Sequence, residues 1–158
     1  MLKMVDATIE SVRNIASELR PSILDDLGLV DALEWQTQQF EARTGIVCRR
    51  HGFSNHWPFS KQQSTAIFRI FQEALTNILR HAAATSVDFT MYRNNTDFIL
   101  TIRDNGRGII AVEKSGLGIL GMQERVRLIG GTIEIRGVEG EGTAISVRVP
   151  VSDRASVE

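Results

Sequence analysis

FRIFQEALTNILRHA, residues 68–82, decides how the rest of the chain is read. At about 100° per residue, Phe68, Phe71, Leu75, Ile78 and Ala82 fall on one stripe of a helix, which predicts a core face. Arg69, Glu73, Asn77 and Arg80 stand one above another on the opposite side, with His81 beside them. That polar row admits two readings. It can be a solvated face carrying weak Glu–Arg pairs. It can also be a surface that meets a phosphate chain and its metal. In the second reading Asn77 offers a neutral oxygen to Mg²⁺, which keeps waters and phosphate oxygens as its other ligands. Arg80 presents a fork of donors to phosphate, and Glu73 can orient or deprotonate an attacking group. The second reading requires another element bearing nucleotide contacts.

RDNGRGI, residues 103–109, is the candidate. Phe98, Leu100, Ile102 and Asp104 share parity, so a continuing strand would turn the Asp104 carboxylate towards the apolar face. A carboxylate there is costly unless donors reach it, and an adenine amino group is one such donor. Gly106 and Gly108 would let the backbone pass close to a flat ring. The simpler alternative is an Asp-Asn-Gly turn. GLGILG, residues 116–121, matches the dinucleotide fingerprint G-x-G-x-x-G in letters. That fingerprint needs a buried strand running straight into its first glycine. Here Glu113, Lys114 and Ser115 intervene. The glycines read better as a flexible lid entering a helix N-terminus, whose free N–H groups can hold phosphates.

Outward from these motifs the pattern is regular. A seam of Leu2, Val5, Ile9, Val12, Ala16 and Leu19 has coiled-coil spacing and stops at Pro21. PSILDDLGL reads as a short connector, followed by a helix over about 30–43 and a strand at 46–50. The opening helix should span about 61–83. Val87, Phe89 and Met91 alternate in one strand and Phe98, Leu100 and Ile102 in the next, with Asn94-Asn95 as the turn. A helix over about 119–129 ends at Gly130-Gly131. Two last strands carry Ile133 and Ile135, then Ile145, Val147 and Val149. Strands apolar on one face predict a two-layer α/β sandwich: a mixed, mostly antiparallel sheet covered on one side by helices.

The chain has 158 residues, 42% of them apolar and 23% charged, which suits one globular domain with an extension. A net charge of -1 without a run of Lys or Arg argues against nucleic acid as a partner. A single cysteine, Cys48, fits a reducing compartment. No apolar run reaches the roughly 20 residues of a membrane span.

Together the motifs resemble the ATP-binding domain of sensor histidine kinases, in the superfamily that also holds gyrase B and MutL (the Bergerat fold). QEALTNILRHA is similar to the N box, DNGRG and GLGILGM to two glycine boxes, and GEGT, residues 140–143, to the last glycine box. ELRPSILDDLGLVDALEW and GMQERV resemble the nitrate-sensor and DesK-like class. The resemblance implies ATP and Mg²⁺ as cofactors. It implies that Asn77 binds the metal, Arg80 reaches the phosphates and His81 lines the nucleotide. Asp104 would recognise the adenine amino group, with Gly106 and Gly108 beside it and Thr143 near the ring. Gly116, Leu117 and Gly118 would form the phosphate-side lid, and Glu73 stands where gyrase-like relatives hold a general base.

The same resemblance divides the chain into the end of a dimerisation helix (1–20), a connector (21–29), the ATP-binding domain (30–151) and a tail (152–158). The γ-phosphoryl group would pass to a histidine on a separate dimerisation segment of a homodimeric parent, for relay to a cognate response regulator. The domain would be cytoplasmic, in a parent that an inner-membrane anchor would suit. Residues 1–20 contain no histidine; the three are His51, His56 and His81. The fragment is therefore expected to lack its own phosphoacceptor. The alternatives are an anti-sigma-factor-like serine kinase, a non-catalytic nucleotide-dependent interaction module, and an NAD-binding domain.

Overall fold

The computed structural model describes residues 21–53, 57–108 and 116–151, together with Val5 and Thr8. The expectations for most of the 1–20 seam, for the lid before Gly116 and for the 152–158 tail lie outside those residues. The elements run in the order α1 (Ser22–Leu27), α2 (Leu29–Thr44), β1 (Val47–His51), α3 (Lys61–Asn77) with a π-helical turn (Ile78–Ala82), β2 (Ser86–Asn94), β3 (Asp97–Asp104), α4 (Leu117–Leu128), β4 (Thr132–Val138) and β5 (Gly142–Pro150).

The five strands form one sheet in the order β1-β2-β3-β5-β4. β1 and β2 pair in parallel, whereas the other three pairings are antiparallel. The sheet is therefore mixed and mostly antiparallel, as the strand patterns predict. Its helix-facing side presents Val87, Phe89, Met91, Phe98, Leu100, Ile102, Ile145, Val147 and Val149, all in one core with residues of α2, α3 and α4. The parity expected of β2 and β3 holds to the last residue, so Asp104 is turned inward and buried. The opposite face is mostly polar, with Arg49 paired to Asp88 and Arg148 to Asp97, although Ile99 on it is also buried.

Helix α3 is the spine of the helical layer. Ser60 and Gln63 form a capping box at its start: the Ser60 hydroxyl accepts from the Gln63 amide at 3.1 Å, and the Gln63 side chain accepts from the Ser60 amide at 3.0 Å. Gln63 Nε2 also donates to the Pro150 carbonyl at 3.2 Å, tying the helix start to the end of β5. The whole predicted stripe, Phe68, Phe71, Leu75, Ile78 and Ala82, is buried.

Three departures from the expected elements stand out. Residues 22–27 of the connector form a helical turn, with Pro21 at its N-cap position and Asp25 in its first turn. Proline blocks a helix before it but suits a helix beginning after it. The opening helix is not α-helical throughout, because its last five residues widen into a π turn that ends at Ala83 with φ 50°. The turn between β2 and β3 falls at 95–96, one residue later than expected, and Asn95 takes the positive φ of 54°.

Candidate functional site

Asp104 sits at the end of β3 with 5% exposure. Its Oδ1 accepts from the Gly106 amide at 2.8 Å and from the Thr143 amide at 3.3 Å. Burial pushes the carboxyl up from its ordinary range, and these two main-chain donors partly oppose that. The inward carboxylate inferred from strand parity is thus held at Oδ1 by main-chain donors, while Oδ2 meets no donor of another described residue.

The loop that follows is pressed between two parts of the protein. A Cβ on Gly106 would lie 2.0 Å from the Ala82 carbonyl oxygen, and one on Gly108 would lie 2.3 Å from that of Val138. Both glycines are demanded by close approach of protein backbone. This is a requirement of the fold itself, beside the expected close passage of the backbone to a flat ring. Gly142 plays the same part from the other side, since its φ is 101° and a Cβ there would meet the Asp104 carbonyl oxygen at 2.0 Å. Thr143, in the same turn, is buried beside Asp104.

Helix α3 joins this end to a second one. Glu73 and Asn77 are one turn apart and both half-buried. Arg80 and His81 are exposed on the π turn, and the His81 carbonyl accepts from Arg107 Nε of the Asp104 loop. From Glu73 to His81 is eight residues, roughly 12 Å along a helix. At the far end a Cβ on Gly118 would lie 2.2 Å from Glu73 Oε1, so the first turn of α4 rests on that carboxylate. Gly116 is the N-cap of α4, no side chain of a described residue caps the helix, and Leu117 is 72% exposed. Beyond Glu73, burial lowers the Arg69 guanidinium below its ordinary value, and the nearby Arg125 of α4 adds to that.

The predicted residues thus gather into two clusters, Asp104–Gly106–Gly108–Thr143 and Glu73–Gly116–Leu117–Gly118, with Asn77, Arg80 and His81 along the helix that links them. A cleft of about 390 Å³, lined by Arg43, Ile46, Leu79, Ala83 and neighbours, shares no residue with either cluster and is not the site. Sequence reading missed Asn105 and Arg107, whose bonds build the loop. A signal existed only for Asn105, as an Asx residue in a turn.

Residues 62–153 match the family described as Histidine kinase-, DNA gyrase B-, and HSP90-like ATPase, and the chain belongs to it. Its curated relatives narrow the likeness to histidine kinases. It is 36% identical over 152 residues to the signal transduction histidine-protein kinase/phosphatase DegS of Brevibacillus brevis, covering 95% of this chain and 39% of that protein. It is 36% identical over 148 residues to the oxygen sensor histidine kinase NreB of Staphylococcus carnosus, covering 92% of this chain and 43% of that protein. The chain thus spans about two-fifths of the length of either relative.

Among solved structures, the histidine kinase domain of the blue-light activated kinase from Erythrobacter litoralis EL346 superposes with a TM-score of 0.69 at 20% identity, covering 80% of this chain and 66% of that one. The Acinetobacter baumannii histidine kinase AdeS gives a TM-score of 0.69 at 14% identity, covering 96% and 82%. Both support the two-layer fold. The resemblance drawn from the four motifs is the one these relatives bear out, and the chain is an ATPase domain of the histidine-kinase type. No helix among the described residues is long and apolar enough to cross a membrane.

Proposed function

We propose that this domain binds ATP with Mg²⁺ and passes the γ-phosphoryl group to a histidine on a separate dimerisation segment, for relay to a response regulator. The observation that carries the reading is Asp104, a buried carboxylate with one oxygen held by main-chain donors and the other left over. A carboxylate only accepts, so it suits the adenine amino group and opposes the guanine carbonyl oxygen.

The remaining residues fit a triphosphate leading away from that point. Asn77 suits a metal that takes its other ligands from phosphate and water. No group of three His, Cys, Asp or Glu among the described residues could hold an ion by itself. When bound, Mg²⁺ neutralises charge on the phosphates. Arg80, on the exposed turn, would reach phosphate oxygens, and His81 would line the nucleotide. The N–H groups after Gly116 would receive the terminal phosphate. Glu73, which lies against Gly118, would orient or deprotonate the attacking group. The names of the relatives support histidine as the acceptor, and a cytoplasmic setting in a homodimeric parent accompanies that chemistry.

The test uses radiolabelled ATP. The chain alone should bind Mg-ATP and remain unlabelled, because none of its histidines lies on residues 1–20. A dimerisation segment carrying a histidine, added separately or as a longer chain, should acquire acid-labile label. Asn77→Ala should abolish that label. Label on the 158-residue chain itself, mapped to His51, His56 or a serine, would replace this reading with the serine-kinase one.

A further inference from the structure

Asn105 and Arg107 alternate with the two glycines of the Asp104 loop, and neither is explained by contact with a nucleotide. Asn105 Oδ1 accepts from the Thr85 amide at 2.9 Å and from the Ser86 amide at 3.0 Å, while Nδ2 donates to Thr85 Oγ1 at 2.8 Å. The Asn105 main chain adds a bond to the Ser86 carbonyl at 3.2 Å. One side chain thus pins the loop to the two residues at the entry to β2.

Arg107 works on the helix side. Its amide donates to the Ala82 carbonyl at 2.7 Å, and its Nε donates to the His81 carbonyl. These are carbonyls of the π turn, which ends at Ala83 in a left-handed conformation that cannot continue a helix. The Arg107 carbonyl in turn accepts from the Gly140 amide at 2.8 Å, in the turn that leads to Thr143. Three segments distant in sequence therefore meet on residues 105–107: the end of the phosphate-side helix, the start of β2 and the β4–β5 turn.

We infer that Asn105 and Arg107 are positioning residues that fix where the Asp104 carboxylate stands relative to α3, and so set adenine discrimination without touching the base. The inference rests on the adenine reading of Asp104. The fold needs the junction only to close a loop, which the main-chain bonds of Asn105 and Arg107 already do. The side-chain bonds add a fixed distance between the end of α3 and the end of β3. A nucleotide held at both ends is sensitive to that distance, since a misplacement of about 1 Å is felt strongly in a preorganised site.

The experiment measures binding of ATP and GTP, each with Mg²⁺, to the wild-type chain and to Asn105→Ala, Asn105→Asp and Arg107→Ala, with a melting temperature for each. Asn105→Ala should weaken ATP by about tenfold while leaving GTP little changed, so the ATP-to-GTP ratio contracts. Asn105→Asp keeps the oxygen that both amides use and should recover most of the ratio. Arg107→Ala, which loses the side-chain bond to His81 and keeps the main-chain bonds, should contract the ratio by about threefold. A purely structural role would lower the melting temperature and leave the ratio within about twofold of wild type, and that result overturns the inference. Should Asn105→Ala fail to fold, Arg107→Ala decides by the same criterion. A wild-type chain that does not prefer ATP to GTP overturns the adenine reading and this inference together. A wild-type preference shared equally by the folded variants overturns the inference alone.

Discussion

At the Asp104 end the site is made of main chain against main chain: Gly106 on the Ala82 carbonyl, Gly108 on that of Val138, Gly142 on that of Asp104. At the Gly116–Gly118 end, Gly118 lies against the tip of a flexible glutamate, and Leu117 before it is among the most exposed large apolar side chains described. Backbone cannot give way without moving a strand or a helix, whereas a carboxylate can rotate. The difference teaches that one end of the site is fixed by the fold and the other can yield; on the proposed reading, base recognition is built in and the phosphate grip is completed by what binds.

Substitutions can break or sharpen that contrast. The largest effect is expected from Gly142→Ala. It must adopt a φ of 101° and bring a Cβ onto the Asp104 carbonyl oxygen. A loss on the order of 3 kcal/mol or more in unfolding free energy should follow, read by urea titration. A loss below about 1 kcal/mol would mean that the adenine end is as yielding as the other.

Asp104→Asn comes next, with ATP binding weakened by about 1–3 kcal/mol. Equal affinity in the folded variant would remove Asp104 from the adenine site. Stability should move the other way. The folded carboxyl is raised above its ordinary 3.8 by burial, so the fold favours its protonated form. The stability that it contributes is present below the unfolded pKa and is lost as pH rises through the folded one. Asparagine can keep both main-chain bonds without the buried charge. The ligand-free variant should therefore melt at or above wild type at neutral pH, and the gap should close in acid. A variant less stable than wild type at neutral pH would contradict this account.

The smallest effect should come from Gly118→Ala. Its Cβ displaces Glu73 Oε1, while alanine favours the helix by up to about 1 kcal/mol over glycine. Stability should change by less than about 1 kcal/mol, and phosphoryl transfer should fall because Glu73 has moved. A large loss of stability would show that the phosphate end is as rigid as the base end.

Much of this was legible from local chemistry. The apolar stripe of α3 and the parity of β3 place Glu73, Asn77 and Asp104 correctly, because side-chain direction follows from the helical and strand repeats. What could not be read depends on partners far along the chain. Nothing near Arg107 announces that its amide will meet residue 82 or its carbonyl residue 140. The π turn has no sequence marker of its own, since its wide geometry goes with carbonyls that accept hydrogen bonds from Arg107, outside the helix. The parallel β1–β2 pairing likewise joins residues such as Arg49 and Asp88, which are 39 apart. The helical turn at 22–27 lies in what reads as a connector, although Pro21 before it is a residue that starts helices as well as stopping them.

That parallel pairing also orders the assembly of the chain. The β2–β3 and β4–β5 hairpins close over short turns and can form early, whereas β1 reaches β2 only after α3 has crossed between them. The loop at 105–107 bonds to the end of α3, to the entry of β2 and to the β4–β5 turn, so it can settle only when all three are in place. On the proposed reading, competence to recognise the base therefore arrives with the last step of folding, and a chain that has docked its hairpins but not its long crossover would still be blind to nucleotide.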